Sequence, residues 1–171
     1  MSHVSEHHPG YTLRECAYAD VLGLVEEADR TEALLQRRSD DAPFHRIVDQ
    51  VYGGHHGYQV FVLTDASSRP VGFTMTLPEA DARTVSIGPT FISRSLRGKG
   101  LGKHMILDVI EWARVRGMAR LLVATWGSNR AARGTFEAVG FRFTDEELNT
   151  RVNGDSTVTY ELALANAVVR N

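Results

Sequence analysis

Arg97-Gly98-Lys99-Gly100-Leu101-Gly102 places three glycines and two cations in six residues. Before it lies an apolar run that reads as a strand, Val85–Ser93, and after it one that reads as a helix, Leu101–Arg116. Met105, Ile106, Val109, Ile110 and Ala113 recur at the spacing of an amphipathic helix. A glycine turn that opens a helix presents backbone N–H groups without intrahelical partners, together with the positive end of the helix dipole. Such donors suit a phosphate, and Arg97, Lys99 and Lys103 add formal positive charge. The chemistry is anion binding. The glycines alone do not choose the anion: their even spacing differs from the dinucleotide G-x-G-x-x-G pattern, and no Gly-Lys-Ser/Thr follows.

The cradle needs a strand to deliver it and a helix to carry it, and the rest of the chain supplies a sheet. Tyr11–Cys16 reads as a first strand. Asp20 is placed to N-cap a helix reaching about Leu35, and Asp41–Tyr52 reads as a second helix ended by Gly53-Gly54. Gln59–Leu63 and Val71–Leu77 form a hairpin about the turn Ser67-Ser68-Arg69-Pro70. Thr84–Ser93 is a long fourth strand, interrupted by Gly88-Pro89, where a bulge or bend is expected. Leu121–Trp126 is a buried strand after the Leu101–Arg116 helix, and Asn129–Ala138 is a short helix closed by Gly140. Two strands follow, from Phe141 and over Thr157–Leu164, with Asn153-Gly154 as a turn between them. The order β-α-α-β-β-β-α-β-α-β-β indicates a mixed α/β sheet.

With 171 residues, 43% hydrophobic and 23% charged, the chain is expected to form one globular domain, with residues 1–10 as a disordered tail. No apolar run approaches the roughly 18–20 residues of a membrane span, and the polar start lacks the apolar middle of a signal peptide. A membrane partner is therefore not expected. One cysteine, Cys16, allows no intrachain disulfide, which fits a cytoplasmic location. The net charge of −2 is unevenly spread: residues 1–85 carry 13 acids against 7 bases, and residues 86–171 carry 8 acids against 12 bases. That asymmetry suits an anionic ligand at the cradle and a cationic acceptor opposite, and it is equally read as surface scatter. No basic stripe with interleaved aromatics points to nucleic acid.

Arg97-x-x-Gly100-x-Gly102 after a strand and before an amphipathic helix, then Asn129-x-x-Ala132 and Phe136-x-x-x-Gly140-Phe141, resembles the GNAT superfamily of acyl-CoA-dependent acyltransferases. Val152-Asn153-Gly154-Asp155 is similar to the family's closing hairpin. The resemblance spans about residues 11–164. It implies an α/β (α+β) GNAT fold, with a mixed, mostly antiparallel sheet of about seven strands flanked by helices and splayed between the fourth and fifth strands. It also implies direct transfer of an acetyl group from acetyl-CoA, as co-substrate, to a primary amine of a small molecule. A protein or peptide N-acetyltransferase and a non-catalytic acyl-CoA-binding sensor are the alternatives. The backbone of Arg97, Gly98, Lys99, Gly100, Leu101, Gly102 and Lys103 would hold the CoA pyrophosphate, and Ile92, Ser93 and Arg94 would pair with the pantetheine arm. Asn129 would contact the arm near the thioester, or simply cap its helix. Phe136 would pack against the cofactor. Homodimers are common in the family, and the terminal strands could pair across a two-fold axis.

The pattern departs from the family at the catalytic groups. Many members carry a tyrosine, which protonates the departing thiolate, where this chain has Phe136; phenylalanine donates no proton. Ser128 and Tyr160 are the substitutes. Thr84–Ile92 contains no carboxylate to serve as base, although an alkylammonium must lose a proton before it attacks. Glu79 and Asp81, just before that strand, and His55 or His56, in a glycine-rich loop, are the candidates. Two adjacent histidines without a third ligand make a poor metal site, so no metal is expected.

Overall fold

In the computed structural model, residues 5–30 and 58–165 are described. One eight-stranded sheet runs through them in the order β1-β2-β3-β4-β5-β6-β8-β7. The strands are β1 (Ser5–His8), β2 (Tyr11–Cys16), β3 (Gln59–Asp65), β4 (Pro70–Pro78), β5 (Thr84–Ile92), β6 (Arg120–Trp126), β7 (Arg142–Glu147) and β8 (Thr157–Ala163). Only β5 and β6 pair in parallel; every other neighbour is antiparallel. The mixed, mostly antiparallel sheet is as expected, with one strand more than the seven anticipated. The extra strand is β1: residues 5–8, assigned from sequence to a disordered tail, pair with β2 instead.

Among the described residues three helices flank the sheet: α1 (Leu22–Arg30), α2 (Leu101–Val115) and α3 (Arg130–Ala138). Strand alternation sorts the apolar side chains onto two faces. Val60, Val62, Phe73, Met75 and Phe91 meet Val21, Leu24, Val25 and Ala28 on the α1 side. Phe61, Leu63, Val85, Ile87, Leu121, Val123 and Tyr160 meet Met105, Ile106, Val109 and Trp112 of α2, and Phe136 of α3, on the other. Asp20 does not cap a long helix directly. It lies in a 3-10 turn, Tyr18–Val21, that leads into α1, and its Oδ2 accepts the Ala17 N–H at 3.1 Å. The expected end of that helix at Leu35, and the helix expected over Asp41–Tyr52, lie outside the described residues.

Two features of this frame make room for a ligand. The first is the interruption in β5. Thr76 lies opposite Ile87 and Thr74 opposite Thr90, so Met75 alone faces the pair Gly88 and Pro89. This is the expected bulge, one extra residue on one strand. It inverts the side-chain alternation, so that Ile87 faces α2 and Phe91 faces α1. The second is the splay. Parallel pairing of β5 with β6 stops at Ile87↔Val123, whereas β6 stays paired with β8 as far as Trp126↔Thr157. Beyond the bulge, the edge of β5 that faced β6 has no strand partner among the described residues.

Candidate active site

The cradle joins the end of β5 to α2. After a 3-10 turn over Arg94–Leu96, Gly98 and Gly100 adopt φ of +77° and +80°, backbone that side-chain-bearing residues avoid. Gly100 is the N-cap of α2, no side chain caps that helix, and its first turn carries no acid. The helical ladder opens with His104 N–H donating to the Gly100 carbonyl at 3.2 Å, which leaves the amides of Leu101, Gly102 and Lys103 as first-turn donors. A Cβ built on Gly98 or Gly100 would meet no atom within 4 Å. The loop therefore shows bare backbone to an open space, as a phosphate-binding turn requires. Arg97 is used differently from the expected ligand cation. Its Nε donates to the Ile92 carbonyl at 3.1 Å and its guanidinium stacks over Phe91 at 5.4 Å, so the side chain braces the turn against β5.

On the opened edge, hydrogen-bond alternation identifies the groups that face the gap. Ser93 N–H donates to the Val71 carbonyl at 2.9 Å, so Ser93 faces β4 and Ile92 and Thr90 face the gap. The N–H of Ile92 and both backbone groups of Thr90 therefore point where an amide-rich arm could pair, and the Ile92 carbonyl already holds Arg97. Of the three residues expected to pair with the arm, Ile92 is thus the one aimed at the gap. The Ser93 hydroxyl donates to Glu27 Oε2 of α1 at 3.1 Å, and Arg94 opens the turn.

Asn129 is a cap in this structure. Its Oδ1 accepts the Ala132 N–H at 3.2 Å, and its Nδ2 donates to Thr125 Oγ1 at 2.8 Å, fixing α3 to the end of β6. Phe136 is buried between Phe141 and Tyr160, with ring centroids 6.1 and 5.6 Å away. The two hydroxyls considered as proton donors are already committed. Tyr160, fully buried, donates to Glu137 Oε1 at 3.1 Å and accepts from Arg133 Nε at 3.0 Å. The Ser128 hydroxyl donates to Asp155 Oδ2. Each has one proton, and a carboxylate holds it.

The Ser128 hydroxyl chiefly holds the Asp155 carboxyl below the usual carboxylate range; desolvation opposes it, and the backbone N–H groups of Ser156 and Ser128 add to the lowering. A depressed folded-state value contributes stability that is complete above the ordinary value near 3.9 and disappears as pH falls through the folded value. Asp155→Asn should therefore flatten the fall in melting temperature below about pH 4 relative to the parent chain, measured by thermal melts at stepped pH.

The base candidates separate clearly. Asp81 shapes the β4–β5 turn: its carboxylate accepts the Arg83 N–H (3.1 Å), the Thr84 hydroxyl (2.9 Å) and Arg120 NH2 (3.2 Å). The first of these chiefly holds its carboxyl low. Glu79, by contrast, leans along β5 towards the splay, and its Oε1 accepts the Ser86 hydroxyl. Ser86 sits one rung before the last parallel pair, on the α1 face, because its neighbours Val85 and Ile87 point to α2. Tyr58 completes this corner: burial and then the Glu79 charge push its phenol up. Its place beside Glu79 carries no signal in the sequence. His55 and His56 lie outside the described residues. Burial, and after it Asp20, pushes the Cys16 thiol up to about 11, so it is no thiolate nucleophile near neutral pH.

A strand that leaves its parallel neighbour at a bulge and ends in an uncapped glycine turn is the arrangement the sequence resemblance implied. Residues 24–141 match the Acetyltransferase (GNAT) family. The chain belongs to the GNAT acetyltransferase family. Among curated proteins none matches it by sequence. Solved GNAT structures share the fold over almost the whole chain. A spermidine N-acetyltransferase from Vibrio cholerae, in complex with CoA and spermine, is 13% identical with a TM-score of 0.76, covering 93% of this chain and 98% of its own. A phosphinothricin acetyltransferase from Sinorhizobium meliloti, in complex with AcCoA, is 17% identical with a TM-score of 0.73, covering 95% and 92%. A ribosomal-protein alanine N-acetyltransferase from Escherichia coli is 18% identical with a TM-score of 0.71, covering 94% and 98%. This GNAT acetyltransferase carries glycines of positive φ ahead of α2, phenylalanine at position 136 and no carboxylate in β5.

Proposed function

We propose that this acetyltransferase moves the acetyl group of acetyl-CoA directly to the primary amine of a small molecule. The observation that carries the reading is the uncapped Gly98–Lys103 turn at the foot of a strand edge opened by the bulge. The first-turn amides would hold the pyrophosphate, the gap edge of Thr90 and Ile92 would hold the arm, and Phe136 would back the site from α3. Acetyl-CoA supplies the activated acyl group; the protein's contribution is to align it with the amine and to polarise its carbonyl with backbone N–H donors. Glu79 takes the acceptor's ammonium proton. The amine nitrogen then forms the C–N bond as the C–S bond breaks, and the thiolate takes its proton from water, because Ser128 and Tyr160 already hold carboxylates. Direct transfer fits a Cys16 that stays protonated.

The acidic first half of the chain supports a cationic acceptor, as does the spermidine enzyme among the fold relatives. The lone cysteine supports a cytoplasmic setting. Among the described residues, no helix is long and apolar enough to cross a membrane. β7 ends the sheet with all six residues exposed, and a homodimer through that edge is part of the reading. The test is thiol release from acetyl-CoA against polyamines, amino acids including phosphinothricin, and a peptide with N-terminal alanine. The fastest turnover is expected with one of the small amines. Preference for the peptide would favour a protein acetyltransferase, and binding of acetyl-CoA without turnover would favour a sensor.

A further inference from the structure

We infer that Ser86 is a positioning residue for acetyl transfer: its hydroxyl turns the Glu79 carboxylate from the β4–β5 turn towards the point where β5 and β6 part. The inference rests on the acetyltransferase reading and adds to it the device that brings a base to a strand with no carboxylate of its own. Backbone placement alone would leave Glu79 one residue past the end of β4, tied by its N–H to the Thr84 carbonyl at 3.0 Å. The Ser86 O–H turns its carboxylate along β5, towards a residue whose backbone lies roughly 7 Å beyond Thr84 at the rise of a strand. That brings the oxygen to within one rung of Ile87↔Val123, the last pair before the splay. The position is half-exposed and on the α1 face, the side away from α2 and α3. An acceptor approaching from that side meets the carboxylate before it meets the gap.

The proton inventory closes with this arrangement. A protonated primary amine gives one proton to Glu79 and a second when its nitrogen becomes an amide. One of the two ends on the CoA thiol by way of water, and the other leaves Glu79 for solvent. No other group is consumed. The Ser86 hydroxyl donates to the carboxylate and is not itself transferred, so its contribution is orientation. Threonine can reproduce that donation and suits a strand; alanine cannot.

The test is a double-mutant cycle on the full chain, with turnover measured on the fastest amine of the panel and acetyl-CoA affinity measured by calorimetry. Ser86→Ala should lower kcat/KM for the amine about tenfold while acetyl-CoA affinity stays within about twofold, and Ser86→Thr should restore most of the loss. Ser86→Ala added to Glu79→Gln should cost nothing further, because the hydroxyl acts only through that carboxylate. A purely structural serine would give additive losses and a lowered melting temperature instead. Additive losses, or a Ser86→Ala variant with parental turnover, would overturn the assignment and leave the acetyltransferase reading standing. A parent chain that binds acetyl-CoA but acetylates no amine would overturn both.

Discussion

Gly100→Val should weaken acetyl-CoA binding by about 100-fold or more, read as heat of binding in a calorimetric titration. Gly100 caps α2 at φ +80°. A left-handed residue with a β-carbon costs about 1–2 kcal/mol, and a β-branched one more. The chain can escape that strain only by rotating the peptides of the turn, which re-aims the amides that face the phosphate. The second penalty is occupancy, since a side chain here enters a space lined by no protein atom within 4 Å. The same fact predicts that the fold survives. Gly72 makes the contrast: its added Cβ would lie 2.9 Å from the Phe91 carbonyl oxygen, so a substitution there strains the β4–β5 pair. Gly100→Val should therefore keep a cooperative melt and lose the ligand. Unchanged affinity would remove the pyrophosphate assignment.

Glu79→Gln should lower kcat/KM at neutral pH by about 100-fold to 10,000-fold, the usual range for loss of a positioned base. The reason is arithmetic: an alkylammonium with a pKa near 10.4 is neutral in only about one molecule in 2,500 at pH 7. Without Glu79 the reaction must wait for that fraction. The neutral fraction grows about tenfold per pH unit below the amine's own value, so the variant should regain activity steeply as pH rises, and more steeply than the parent. Acetyl-CoA affinity should not change, because the carboxylate stands off the cradle on the α1 side. A loss below threefold with the parent's pH slope would show that Glu79 does not take the proton.

The geometry of the proposed donor half was legible in the sequence because backbone forms it. Glycines in a fixed order between a strand pattern and a helix pattern declare a turn, and Gly88-Pro89 declares a bulge, whatever the rest of the chain does. The strand inventory was legible for the same reason, apart from β1. The polar run Ser5–His8 gives no alternation to read and becomes a strand only because the edge of β2 is there to pair with. Side-chain roles were less legible. Arg97 looks like a phosphate ligand beside its glycines, yet the nearest strong acceptor is the Ile92 carbonyl, and the bulge puts the ring of Phe91 beneath it. Tyr160 and Ser128 were plausible donors by type, and it took Glu137 and Asp155, 23 and 27 residues away in sequence, to engage them. Ser86 had a readable signal: Val85 and Ile87 are apolar, so alternation turns Ser86 to the opposite face. That Glu79 reaches it depends on the length and twist of a turn, which spacing does not encode.

Acetyl should leave CoA for an amine on this protein, which a single reaction decides. Free thiol and acetylated amine are quantified together, by thiol reagent and by mass spectrometry, with the parent chain, acetyl-CoA and the fastest amine of the panel. Equal amounts of both products are expected at every time point, with neither formed when the protein is omitted. Thiol release without acetylated amine, or no thiol release from a chain that binds acetyl-CoA, would contradict it.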